Sequence, residues 1–146
     1  MHGGQKLDQA IVDHGMVDER IVDRRLIRLS IALVWFYQGL WCKVLAGAPQ
    51  HLAVITAVPF MGPVAGRVAL ILIGLIECGI GVWVLTAWQP RPAAVAQTLL
   101  LVCMNAAGLI WAWRLIPDPI GMILQNFTFV LLIWVAAEGR GHVAKI

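Results

Sequence analysis

The sequence predicts an all-α protein, a four-helix transmembrane bundle with an amphipathic N-terminal segment, and three observations carry that expectation. Of the 146 residues 60% are hydrophobic and 13% charged, with a mean hydropathy of +0.82, whereas an ordinary soluble domain is about a quarter charged. After Arg28 the chain falls into apolar runs, each near the roughly 20 residues a spanning helix needs, separated by glycine and proline breaks. The lysines and arginines gather on one side of the resulting topology, as membrane orientation demands.

Residues 1–25 form a polar leader. Val17, Ile21, Val22 and Leu26 share one helical face opposite Glu19, Arg20, Asp23 and Arg24, the pattern of a segment lying on a membrane surface; a solvated leader with accidental periodicity is the alternative. The acidic residues in this stretch do not read as a cleavable signal, so the first span is expected to act as an uncleaved anchor.

The transmembrane domain is expected over residues 26–138, with spans at about 26–45, 68–88, 93–113 and 119–137, followed by a tail at 139–146. The first span stops at the Gly47, Ala48, Pro49 break. Residues 49–66 then form a connector too short to cross, either an interfacial helix or a loop folded over the bundle mouth, in which His51 reads as a solvated polar residue. A Gln89–Pro92 turn joins the second and third spans. Asp118 and Pro119 suit the N-cap and first turn of the fourth. Eight lysines and arginines (Lys6, Arg20, Arg24, Arg25, Arg28, Arg91, Arg140, Lys145) stand against three (Lys43, Arg67, Arg114), which places both termini in the cytoplasm of a bacterial inner-membrane protein. Trp41, Trp88, Trp111 and Trp113 fit an interfacial aromatic belt.

Glu77 is the most informative residue, because an ionisable group in mid-span costs a few kcal/mol or more unless paired or neutralised. At helical spacing it shares a face with Arg67, Gly74 and Gly81, where glycines admit a close neighbour. Counting about 1.5 Å per residue from the outer end of each span puts Glu77 roughly 15 Å deep, Asn105 roughly 13 Å, and Asn126 and Gln38 each roughly 10 Å. On the third span Asn105 lies with Thr98, Gly108 and Ala112. These four polar residues form the candidate cluster. Two meanings are open: interhelical hydrogen bonds that fix helix register, or a pocket open toward the outer face. Lys43, Arg67, Asp118 and Trp41 are outer-face candidates. Lys43 is expected to snorkel to headgroups, with a turn inward toward Glu77 as the alternative, and ion pairs among Arg67, Arg114 and Asp118 would be exposed and weak.

Nothing resembles a hydrolytic triad, a phosphate-binding glycine loop, a haem-ligating histidine pair or a thiol redox pair, so no catalytic residue and no metal site is expected. Cys42, Cys78 and Cys103 sit singly in different runs and read as buried small apolar side chains. The basic residues form no stripe interleaved with stacking aromatics, which excludes nucleic acid as a partner.

The stretches VWFYQGLWCKVL at 34–45, GLIECGIGVWVL at 74–85, MNAAGLI at 104–110 and DPIGMILQNF at 118–127 resemble the DoxX-like family of small bacterial membrane proteins. That resemblance implies a four-helix membrane fold, with Trp35, Tyr37, Gly39, Lys43, Glu77, Asn105, Asp118, Pro119 and Asn126 as the family-like positions. The family name derives from subunits of quinone-linked thiosulfate oxidation and quinol oxidase. It implies a non-catalytic accessory subunit of a redox or respiratory membrane assembly, partnered by the lipid bilayer and by other membrane subunits or further copies of itself. The alternatives are a module binding quinone or another small lipophile through Glu77, Asn105, Asn126 and Gln38, and a small oligomeric permease. No intrinsic cofactor is expected, quinone being the candidate ligand.

Overall fold

A computed structural model of the chain describes residues 24–138, and these are almost entirely helical, with no strand among them. Nearly all of the amphipathic leader and the whole tail at 139–146 lie outside the described residues.

Helix α1 runs continuously over residues 24–44; it is α-helical to residue 36 and then widens to a π-helix over Tyr37–Val44. The longer i→i+5 ladder of a π-helix is uncommon and is found often at functional sites. Here it turns Gly39, Cys42 and Lys43 together onto the buried side. The helix ends where Leu45 and Gly47 donate backbone N–H groups to the carbonyls of Leu40 and Trp41, both at 2.9 Å, with Ala46 in the left-handed region.

Proline and aspartate signals set the remaining boundaries. Helix α2, Gln50–Thr56, follows Pro49 and packs on the start of α3, where a Cβ added to Gly66 would lie 2.8 Å from the Thr56 methyl. The connector is thus both an independent helix and a cover for one end of the bundle. Helix α3, Pro63–Thr86, has proline in its first turn, whose missing N–H would be unpaired there anyway; it therefore begins at Pro63 rather than near Val68. Helix α4, Pro90–Trp111, starts the same way and gives out into a 3₁₀ turn at Trp113–Leu115. Helix α5 is Pro119–Glu138, and the Asp118 carboxylate accepts the Gly121 N–H at 2.9 Å, the cap read from the sequence.

Helices α3, α4 and α5 are each long and apolar enough to cross a membrane. Their outward faces are those of lipid-contacting helices: α5 buries only Ile133 and Ala137 and turns Ile123, Leu124, Phe127, Leu131 and Val135 outward. Trp41, Trp88, Trp111 and Trp113 are all exposed. Cys42 is buried, but Cys103 is exposed on α4; its position on an outward face makes it a lipid-facing residue rather than the core residue expected.

The two ends of the bundle pack differently. Ile31 and Trp35 of α1, Ile80 and Val84 of α3, Ala94 of α4, and Ile133 and Ala137 of α5 form one apolar core, so all four long helices meet there. That end is the tight one. The other, where α1 ends and α5 begins, is held by α1 against α3 and by α4 against α5, and it leaves space between the two pairs.

Candidate functional site

The site begins at the crossing of α1 and α3, which is made by two glycines. A Cβ on Gly39 would lie 2.5 Å from the Gly74 carbonyl oxygen, and one on Gly74 would lie 2.6 Å from that of Gly39. No larger residue fits at either position without moving backbone. The close approach sets the Glu77 Cβ against Gly39 and the Lys43 Cβ against Gly74, so the two long side chains flank the crossing and reach each other across it.

They meet as an ion pair. The Lys43 ammonium donates to both carboxylate oxygens of Glu77, at 2.8 Å to Oε1 and 2.7 Å to Oε2, with each side chain 2% exposed. Its remaining contact is the Gln38 carbonyl at 3.4 Å. The expectation that Lys43 snorkels to the headgroups is therefore corrected in favour of the alternative, the inward turn: the π-turn and the Gly39–Gly74 contact bring its stem to Glu77, a mid-span carboxylate that requires a partner. Glu77 is likewise sheltered by a cation from α1 rather than by amides alone. Arg67 is corrected too. Its guanidinium forms no outer-face ion pair; it donates to the Lys43 and Val44 carbonyls at 3.1 and 2.9 Å, carbonyls left unpaired at a helix end. Arg114 lies over the Trp113 ring, 5.6 Å from its centroid.

Around this pair is a cavity of about 350 Å³. Glu77 and Lys43 line it together with Gln38 from α1, Asn105 from α4 and Asn126 from α5, so the four residues of the candidate cluster border one space. Asn126 Nδ2 donates to Asn105 Oδ1 at 2.8 Å, which ties α5 to α4. Asp118 and Trp41 stand outside this space: Asp118 is exposed and caps α5, and Trp41 is exposed with its ring over Gly47. Helix α2 covers the cavity with Gln50, His51 and Val54. His51 is half-buried with Nδ1 3.3 Å from the Ala48 carbonyl, not a solvated loop residue. Burial, reinforced by the nearby Lys43 charge, pushes its pKa below the ordinary histidine value.

A second space adjoins the cavity. A groove between α1 and α5, walled by Leu33, Tyr37, Leu124 and Thr128, shares Gln38, Met122, Gln125 and Asn126 with the cavity lining. The groove and the cavity thus lie on either side of the same α1 and α5 side chains.

Three contributors escaped the sequence reading. Gln50, in the stretch expected to be a connector, and Gln125, to which the sequence alone assigns no role, border the cavity. Gln97 is buried at the tight end, where its Oε1 accepts the Trp35 indole N–H at 2.8 Å and its Nε2 donates to the Ala93 carbonyl at 3.0 Å. A glutamine and an indole in two apolar spans each need a partner, which was the available signal.

A sequence model of the DoxX-like family matches residues 32–134, a range that takes in both charged residues of the pair and every amide of the cluster. The chain belongs to the DoxX-like family. With its three long apolar helices, this DoxX-like chain is a multi-pass membrane protein in contact with the bilayer. Neither the curated proteins nor the solved structures gave a match. Among the described residues no three His, Cys, Asp or Glu side chains of this family member stand close enough to share a metal ion.

Proposed function

We propose that this DoxX-like protein is a membrane-embedded binding module for a small lipophile, quinone being the candidate, and that it serves a redox or respiratory membrane assembly as a subunit without chemistry of its own. In this reading α1 is the fourth crossing. At about 1.5 Å per residue its continuous run over residues 24–44 approaches the roughly 30 Å hydrocarbon thickness, and the clustering of Lys and Arg puts both termini in the cytoplasm of a bacterial inner membrane.

The observation that carries the proposal is the cavity bordered by Glu77, Asn105, Asn126 and Gln38, with a groove between α1 and α5 adjoining it. Polar side chains that served only to hold helices together would be packed against one another. Here Asn105 and Asn126 bond each other but also line, with Gln38, Gln50 and Gln125, a space large enough for a headgroup, beside an apolar groove suited to a tail.

The test is extraction of lipophiles from protein purified in mild detergent, identified by mass spectrometry, for the wild type and for Gly108→Phe. Gly108 faces the cavity, and a Cβ there meets only the Ile116 and Val54 side chains, at 3.5 and 3.9 Å, so the ring enters free space rather than backbone. A lipophile retained by the wild type and absent from a folded Gly108→Phe supports the module. Equal content in both proteins ends it. Copurification of a redox subunit with the tagged chain tests the accessory role separately.

A further inference from the structure

Among the described residues that line the cavity, the ionisable side chains are Lys43, Glu77 and His51. Lys43 and Glu77 neutralise each other through two short hydrogen bonds, and neither is accessible. Arg67 spends its guanidinium on the last carbonyls of α1. What the cavity offers is amides, Gln38, Gln50, Asn105, Gln125 and Asn126, each supplying both donors and an acceptor. Among the described residues along the adjoining groove the charged one is Asp118, exposed at the start of α5, where its carboxylate accepts the Gly121 N–H.

We infer that the site selects an uncharged, oxygen-bearing headgroup, of the hydroxyl or carbonyl class, on an apolar tail that lies in the α1–α5 groove. Inside the cavity an anionic headgroup would find Lys43 as its cation and a cationic one Glu77 as its carboxylate, and either would have to break the Lys43–Glu77 pair to obtain its counter-ion. Burial of an unpaired charge is far more costly than burial of a hydrogen-bonded neutral group. The amides, in contrast, give a hydroxyl or carbonyl oxygen donors and acceptors without rearrangement. This selectivity rests on the reading of the cavity as a lipophile site, and it narrows that reading by excluding anionic lipids, fatty-acid anions and cationic amphiphiles as occupants.

The experiment is native mass spectrometry of the full chain released from detergent after incubation with an equimolar mixture of tail-matched probes: a long-chain alcohol, a monoglyceride, a prenylated quinone, an alkyl sulfonate and an alkyl trimethylammonium. Each adduct is identified by its mass, and Gly108→Phe gives the background. At least one neutral probe is expected to exceed both charged ones by about tenfold or more, and the neutral probe that binds best tells a glyceride-like headgroup from a quinone-like one. Equal or stronger binding of the sulfonate or the ammonium overturns the selectivity while leaving the binding module standing. No specific adduct with any probe removes both. Gln125 is exposed on α5, so Gln125→Lys and Gln125→Glu change the charge of the lining without disturbing a buried pair; they are expected to raise the sulfonate and the ammonium adducts respectively, and indifference to both counts against the inference.

Discussion

The tight and open ends of this bundle use the same kind of side chain for different purposes. At the tight end Gln97 and the Trp35 indole bond each other inside an apolar core that draws on all four long helices. At the open end Asn126 and Asn105 also bond each other, yet both border a cavity shared with Gln38 and the Lys43–Glu77 pair. An amide in a membrane helix is thus not informative by itself. What separates a structural amide from one available to a ligand is whether the helices around it close, and here they close only where Ile31, Ile80, Val84 and Ile133 supply the volume.

The most damaging way to break the comparison is at the glycine crossing on which the open end depends. Gly39→Val sets side-chain atoms against the Gly74 carbonyl and Glu77, and its expected outcome is loss of folded protein, read as aggregation on size exclusion in mild detergent. The buried pair comes next. Lys43→Met strands the Glu77 carboxylate and is expected to lower stability by about 3–5 kcal/mol, whereas Lys43→Met with Glu77→Met restores most of that, because a buried pair exchanged for apolar residues is often close to neutral. Denaturant titration of the single and double variants in mixed micelles checks both values, and a double variant no better than the single would show that the pair stabilises the fold outright. Asp118→Ala removes the cap of α5 and is expected to cost about 0.5–2 kcal/mol, visible as a lower melting temperature.

The smallest effect sharpens the role of the α2 cover. His51 keeps its neutral form in the fold, so the unfolded chain takes up a proton first as pH falls below 6.5, the ordinary histidine value. Stability is therefore full above that pH and declines below it until the folded pKa is passed. The decline in melting temperature between neutral and mildly acidic buffer is expected to shrink in His51→Gln.

Much of this was legible in the sequence. Pro119, the Asp118 cap and the apolar run lengths marked the helices, although α3 and α4 begin at Pro63 and Pro90, ahead of the expected 68 and 93. The convergence of Glu77, Asn105, Asn126 and Gln38 on one space followed from counting depth along each helix. The inward turn of Lys43 did not, because it depends on the π-helical stretch of α1, and no local propensity distinguishes a π-turn from the α-helix on either side of it. Arg67 was misplaced for a related reason: its partners are backbone carbonyls at the end of another helix, and these leave no trace in residue identity. His51 reads as solvated because a short apolar connector gives no sign of the surface it folds onto.

The difference between the two ends is measured most directly by comparing Gln97→Leu with Asn126→Leu, recording for each the melting temperature and the amount of copurified lipophile. Gln97→Leu orphans the buried Trp35 N–H and is expected to lose about 1–3 kcal/mol while retaining its lipophile. Asn126→Leu is expected to lose only about 0.6 kcal/mol and to come through purification empty. If Asn126→Leu instead keeps its full complement of lipophile, or melts as early as Gln97→Leu, the open end is held together by its amides just as the tight end is, and the cavity is not a binding site.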